Sequence, residues 1–176
     1  DGVAAITIII YSQFLLNTLY IGYSMGIAPI IGFNYGNKND VQLKRVFSIS
    51  MRFIGLASVL IFAISMFGGS YIVQLFADDT SEVYQIAANG FTIFSYSFLF
   101  CGLNNFTSAM FTALSNGKVS AILSFLRTFG LLAGGILLLP RIWGIAGVWL
   151  AVPAAEGIMF IVSVTCLFRY WKRYSY

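Results

Sequence analysis

Five long apolar runs divide this chain, and they constrain its fold more than any other feature. They cover Val3 to Phe33, Val46 to Gly68, Ile86 to Leu114, Val119 to Leu139 and Trp143 to Phe168. Crossing a bilayer core takes roughly 20 helical residues, and each run is long enough. Hydrocarbon offers backbone groups no water, so each run must satisfy its own hydrogen bonds as a helix. Five buried helices of a water-soluble bundle would need polar faces at helical spacing. The residues for such faces are too few: 9% of the 176 residues are charged and 59% are hydrophobic, against about 25% and 45–50% in soluble domains. The expected fold is an all-α, polytopic transmembrane helix bundle with the lipid bilayer as its principal partner.

The same composition excludes much enzyme chemistry. The chain has no His, which removes Ser-His and Cys-His pairs, His-ligated metals and His proton shuttles. Cys101 and Cys166 lie far apart inside apolar runs and offer neither a disulfide framework nor zinc spacing. No catalytic residue, metal site or cofactor is expected, and the chain is not read as an enzyme. The net charge of +4 is scattered over short segments, so nucleic acid is not an expected partner.

Lys and Arg collect in cytoplasmic connections of membrane proteins. Here the first connection carries Lys38, Lys44 and Arg45, with Arg52 just beyond it. The second carries Asp78, Asp79 and Glu82; the third has Lys118, the fourth Arg141, and the tail Arg169, Lys172 and Arg173. Placing the first and third connections and the tail in the cytoplasm leaves Arg141 as the basic residue outside. The amino end then faces outward. An odd number of spans with that orientation, starting at Asp1 rather than Met, suggests a piece of a longer protein. Tyr71 to Phe76 is too short to span and reads as an interfacial helix or turn.

Polar residues inside the spans are the candidate functional groups, because lipid exposure makes them costly. Gln13, Asn17, Tyr20 and Ser24 recur at helical spacing as one stripe, facing either another helix or a wet cavity. Gly22 with Gly26, and Gly32 with Gly36, have the spacing that lets helices approach closely. Pro29 between the pairs predicts a bend. The third run carries Ser97, Cys101, Asn104, Asn105, Ser108 and Thr112, whose amides can serve a transport pathway or bond a neighbouring helix. In the fourth run Ser120, Ser124, Arg127 and Thr128 recur, and Arg127 is read as snorkelling to the cytoplasmic boundary in preference to a buried ion pair. Glu156, just after Pro153, is the acidic residue deep in a span. It must face inward as a neutral acid, paired with a base, or meeting a cation.

Three stretches resemble a known family. Gly26 to Asn39 (GIAPIIGFNYGNKN) closes a long helix and enters a basic loop, Asn116 to Lys118 forms an Asn-Gly-Lys turn, and Ile142 to Glu156 (IWGIAGVWLAVPAAE) opens the last run. Together they resemble the MATE (multidrug and toxic compound extrusion) transporters, and most closely the branch containing small exporters of Gram-positive bacteria. The resemblance implies five of the six helices of a C-terminal lobe, with the first helix of that lobe and the N-terminal lobe lying elsewhere. It implies a plasma-membrane antiporter exporting cationic or amphipathic drugs in exchange for H⁺ or Na⁺ by alternating access. Gln13, Asn17, Tyr20, Tyr96, Asn104, Asn105 and Glu156 would line its substrate and ion pathway, and the glycines with Pro29 and Pro153 would serve as hinge or packing positions. Na⁺-coupled members carry a carboxylate midway along the helix matching the third run, where this chain has Asn105. Coupling would then rest on acids in the other lobe. The alternatives are a lipid-linked oligosaccharide flippase of the same superfamily, for which Arg127 is the candidate pyrophosphate ligand, and a non-transporting membrane assembly protein.

Overall fold

A computed structural model describes residues 2–176, which form helices joined by short connections with no strand among them. Helix α1 covers Gly2–Gly36 and α2 covers Asp40–Gln74. The third span is two helices, α3 at Glu82–Ser95 and α4 at Phe98–Ala113, meeting at a 55° bend. The fourth comprises α5 (Gly117–Phe125), a π-helical segment (Leu126–Leu132) and α6 (Ala133–Trp143). Helix α7 covers Ile145–Tyr174. Counted by length and apolarity there are four spans, or five with the bent pair taken as one.

Side chains at the helix ends explain where these elements start. Asn39, Ser81 and Asn116 cap α2, α3 and α5, their oxygens accepting from the backbone N–H groups of Gln42, Tyr84 and Val119 and satisfying donors that the first turn leaves free. Lys38 and Ser115 take positive φ just past α1 and α4, and Gly144 (φ 57°) lets the chain reverse between α6 and α7.

Two expectations change. The third apolar run is broken at Tyr96 and Ser97, where no Pro or Gly stands. Ser97 and Leu99 make short-range bonds to the carbonyls of Phe94 and Tyr96, and the Ser95 hydroxyl bonds back to the Phe91 carbonyl, a pattern that bends helices. Tyr71 begins no separate element, because α2 runs on through Gln74 before turning. Helix α1 continues as one element across Pro29, as α7 does across Pro153.

Helix α4 is the hub, packed against α1, α2, α5 and α7. Gly102 permits a tight crossing, since a Cβ there would lie 2.7 Å from the Tyr20 ring and 2.9 Å from the Ser58 hydroxyl. Two apolar clusters result. One gathers Ile9, Tyr20, Ile61, Phe91, Phe98 and Trp149; the other gathers Ile31, Ile54, Phe106, Phe111, Met159 and Leu167. The second cluster lies at the basic end. There Asn116 Nδ2 donates to the Tyr174 hydroxyl at 2.9 Å and the Tyr35 and Tyr174 rings meet at 5.5 Å. The first connection, the third connection and the carboxyl end thus share one face of the bundle.

Candidate functional site

The polar groups fall in the gap between the two clusters. Along α4 the first cluster ends at Cys101 and the second begins at Phe106; Asn104 and Asn105 stand between them. Along α7 the same change falls between Trp149 and Met159, and Glu156 occupies it. Glu156 is 6% exposed and about 16 Å along α7 from its start, at 1.5 Å per residue. It is therefore remote from either membrane surface.

One carboxylate oxygen of Glu156 accepts from Arg127 Nε at 2.8 Å and Nη2 at 2.6 Å. The other accepts from Asn104 Nδ2 at 2.7 Å, an amide that also donates to the Glu156 carbonyl at 3.0 Å. Arg127 Nη1 donates to Asn105 Oδ1 at 2.7 Å, and Ser163 Oγ to Asn104 Oδ1 at 2.8 Å. Five side chains from three spans form one network. It compensates both charges and supplies hydrogen bonds to each, which is the condition for keeping an ion pair out of water.

The snorkelling expectation for Arg127 is thereby overturned. The guanidinium turns inward because Glu156 offers it an opposite charge at mid-depth, and a solvated end for it lies about 15 Å away along the helix. A sequence signal existed: Ser120, Leu123 and Arg127 recur at helical spacing, and Ser120 and Leu123 are buried. Ser163 was missed as well. It follows Glu156 by seven positions and so shares its face.

The remaining candidates divide. Gln13 borders a cavity of about 170 Å³ with Arg127, Thr128, Leu132, Val152 and Glu156, so it faces the ion pair from α1. Asn17 accepts from the Cys101 thiol at 3.1 Å. Tyr20 is buried, and its hydroxyl donates to the Phe98 carbonyl at 3.0 Å; here it joins helices instead of lining an open surface. Tyr96 stays apart, half exposed against Phe62 on α2. A second cavity of about 240 Å³ is lined by Ser24, Asn105, Ser108, Thr112, Ser124 and Arg127 among others. Ser24 Oγ and Asn105 Nδ2, both buried, have no hydrogen-bond partner. Such groups are costly, and both residues line this cavity. Beside them Ser108, Ser120, Ser124 and Thr112 exchange hydroxyl bonds of 2.8–3.0 Å between α4 and α5.

The glycine pairs also divide. A Cβ at Gly32 would come within 3.3 Å of the Ala113 carbonyl, a close helix approach, whereas Gly22, Gly26 and Gly36 have nothing within 4 Å. Among the described residues, the spacing at Gly22 and Gly26 therefore brings no other helix within contact of a Cβ there.

The MatE family model matches residues 1–133. No curated protein matches the sequence. The fold is similar to that of a point mutant of the Vibrio cholerae MATE transporter VcmN, with a TM-score of 0.88, 20% identity, and coverage of 97% of this chain and 39% of that one. The bent form of VcmN gives a TM-score of 0.88 and 20% identity over 98% of this chain and 40% of that one. This chain therefore spans about 40% of the length of the transporters it matches. On the match over residues 1–133, the chain belongs to the MatE family of membrane transporters.

Proposed function

We propose that this chain is the C-terminal lobe of a secondary antiporter that exports cationic or amphipathic compounds in exchange for H⁺ or Na⁺. The observation that carries the reading is Glu156, an acid at mid-depth, held by Arg127 and Asn104 at the edge of a cavity that Gln13 also borders. An acid so placed in a membrane helix bundle is a functional group by default. Paired with Arg127 the site is electrically neutral and holds no cation. When a cationic substrate or the coupling ion takes the place of the guanidinium, the link between α7 and the π-helical segment opens. Binding and lobe conformation are then coupled through one hydrogen-bonded pair. Cargo contacts come from Gln13, Asn17, Asn104 and Asn105, and the other lobe supplies the facing wall. The amino end lies outside the plasma membrane and the tail in the cytoplasm, in keeping with the basic residues gathered at one end.

The oligosaccharide flippase is less well supported, because Arg127, the deep cation among the described residues, is already neutralised by Glu156. An assembly protein has no need of the network. The test is export of a cationic dye by the complete transporter in membrane vesicles, with Na⁺ and proton gradients imposed separately. Glu156→Gln is expected to lower export at least tenfold under whichever gradient drives it. Unchanged export at normal expression would remove Glu156 from the site.

A further inference from the structure

At the basic end, away from the ion pair, α2 and α7 each pack on α4 and leave a furrow between them. Its volume is about 230 Å³, and its lining is wholly apolar: Phe47 and Met51 from α2, Leu103 from α4, and Leu167, Phe168 and Trp171 from α7. A second hollow of about 300 Å³ shares Phe168 and Trp171 with the furrow and is otherwise lined by Arg169 and Lys172. The apolar furrow thus opens onto two cations, with an indole at the seam, where amphipathic rings sit at headgroup level. The Trp171 ring is held there by Phe47 and Tyr176, at centroid distances of 5.8 and 5.5 Å.

The two cations are free. Among the described residues the ion pair is Arg127 with Glu156, so neither Arg169 nor Lys172 has a carboxylate partner. Arg173 next to them lies over the Tyr170 and Tyr174 rings instead, at 6.0 and 5.6 Å.

We propose that this furrow holds an anionic phospholipid of the leaflet that the basic end faces, one acyl chain along α2 and α7 and its phosphate between Arg169 and Lys172. The lining is divided head from tail as such a molecule is. Covering the furrow with an acyl chain gains little by hydrophobicity, because lipid tails are as apolar as the side chains they touch. Selection therefore comes from the headgroup. A basic residue near the surface strengthens attraction to anionic lipid roughly fivefold, and two act here on one phosphate. The site does not depend on what is transported.

The complete transporter in nanodiscs is labelled with phosphatidylglycerol or phosphatidylcholine carrying a photoreactive group on one acyl chain, and labelled peptides are mapped. Labelling at residues 164–171 is expected to be several-fold stronger with the phosphatidylglycerol probe. Arg169→Gln with Lys172→Gln should bring the two probes to parity, whereas Lys38→Gln with Lys44→Gln, two equal charges at the same end, should leave the preference intact. Arg169→Lys with Lys172→Arg keeps both charges should the neutral pair fail to fold, and it should keep the preference. Equal labelling by both probes, a preference that survives neutralisation of Arg169 and Lys172, or no labelling in the furrow because a protein segment covers it, would each overturn the proposal.

Discussion

The span from Gly117 to Trp143 and the α7 span beside it are both strongly apolar, but they are held in different ways. Of their most apolar stretches, 6% of the residues in the first and 33% in the second are buried within the chain. Helix α7 contributes to both clusters, with Trp149 in one and Met159 and Leu167 in the other. Its neighbour buries Ser120 and Leu123 and little beyond. Lipid tails cover apolar side chains as well as another helix does, so apolarity alone does not attach a span. Close backbone approach at Gly135 and Gly147 holds α6 to α7, and polar groups hold the rest: Arg127 to Glu156 and Asn105, and the hydroxyl cluster shared with α4. The π-helical segment that begins beside Arg127 belongs to the loosely covered span, and such segments recur at functional positions in helices. The sparsely buried span and the well-buried one are thus joined by hydrogen bonds at mid-depth.

The largest effect is expected where that link is cut on one side. Glu156→Ala leaves the partly buried Arg127 guanidinium with no opposite charge, a loss of up to the roughly 3–5 kcal/mol of a fully buried pair. It should appear as a lower unfolding midpoint of the purified transporter in detergent. Replacing both partners, Arg127→Met with Glu156→Leu, should recover most of that stability while leaving export absent. With Arg127→Met alone and Glu156→Leu alone, the wild type and this double variant form a cycle that measures the coupling directly. If the two single losses simply add, the pair does not join the spans and the comparison fails.

Much of this architecture was legible, for physical reasons that also mark where reading stopped. Five apolar runs long enough to cross a bilayer require helices, and they are there. An acid at mid-span cannot face lipid, so the inward direction of Glu156 followed from cost alone. Its partner did not, since Arg127 lies 29 positions away and nothing local says which base an acid will meet. The bend at Tyr96 and Ser97 arises from serine hydroxyls and short-range bonds, without the Pro or Gly that announces most breaks. Gly22 and Gly26 show the converse: spacing establishes that a helix can come close there, but which face has a neighbour is decided by the whole bundle.

A smaller effect separates the two fastenings of the loose span. Ser120→Ala removes the Oγ that Ser108 and Thr112 both contact. Interhelical hydrogen bonds in membranes are worth about 0.6 kcal/mol on average and at most about 1.7. The midpoint should fall by a corresponding fraction of the Glu156→Ala effect, with export retained. A loss as large as that of the ion pair would make the hydroxyl cluster, and not Arg127, the principal attachment.

The smallest effect is expected where the same span leaves room beside α7. Gly134 lies in α6, and a Cβ there would meet nothing within 4 Å. Gly147 in α7 is the opposite case, since an added Cβ would collide with the backbone of Leu139 and Pro140, which cannot rotate away as a side chain can. Gly134→Ala should therefore change the midpoint by no more than the roughly 0.5 kcal/mol usual for surface positions. Gly147→Ala should destabilise clearly, because the turn between α6 and α7 must open to admit it. Equal losses from the two substitutions would mean that a surface packs on α6 as closely as α6 packs on α7. The span would then be fastened by contact on both faces, and its polar attachments would no longer be what sets it apart from α7.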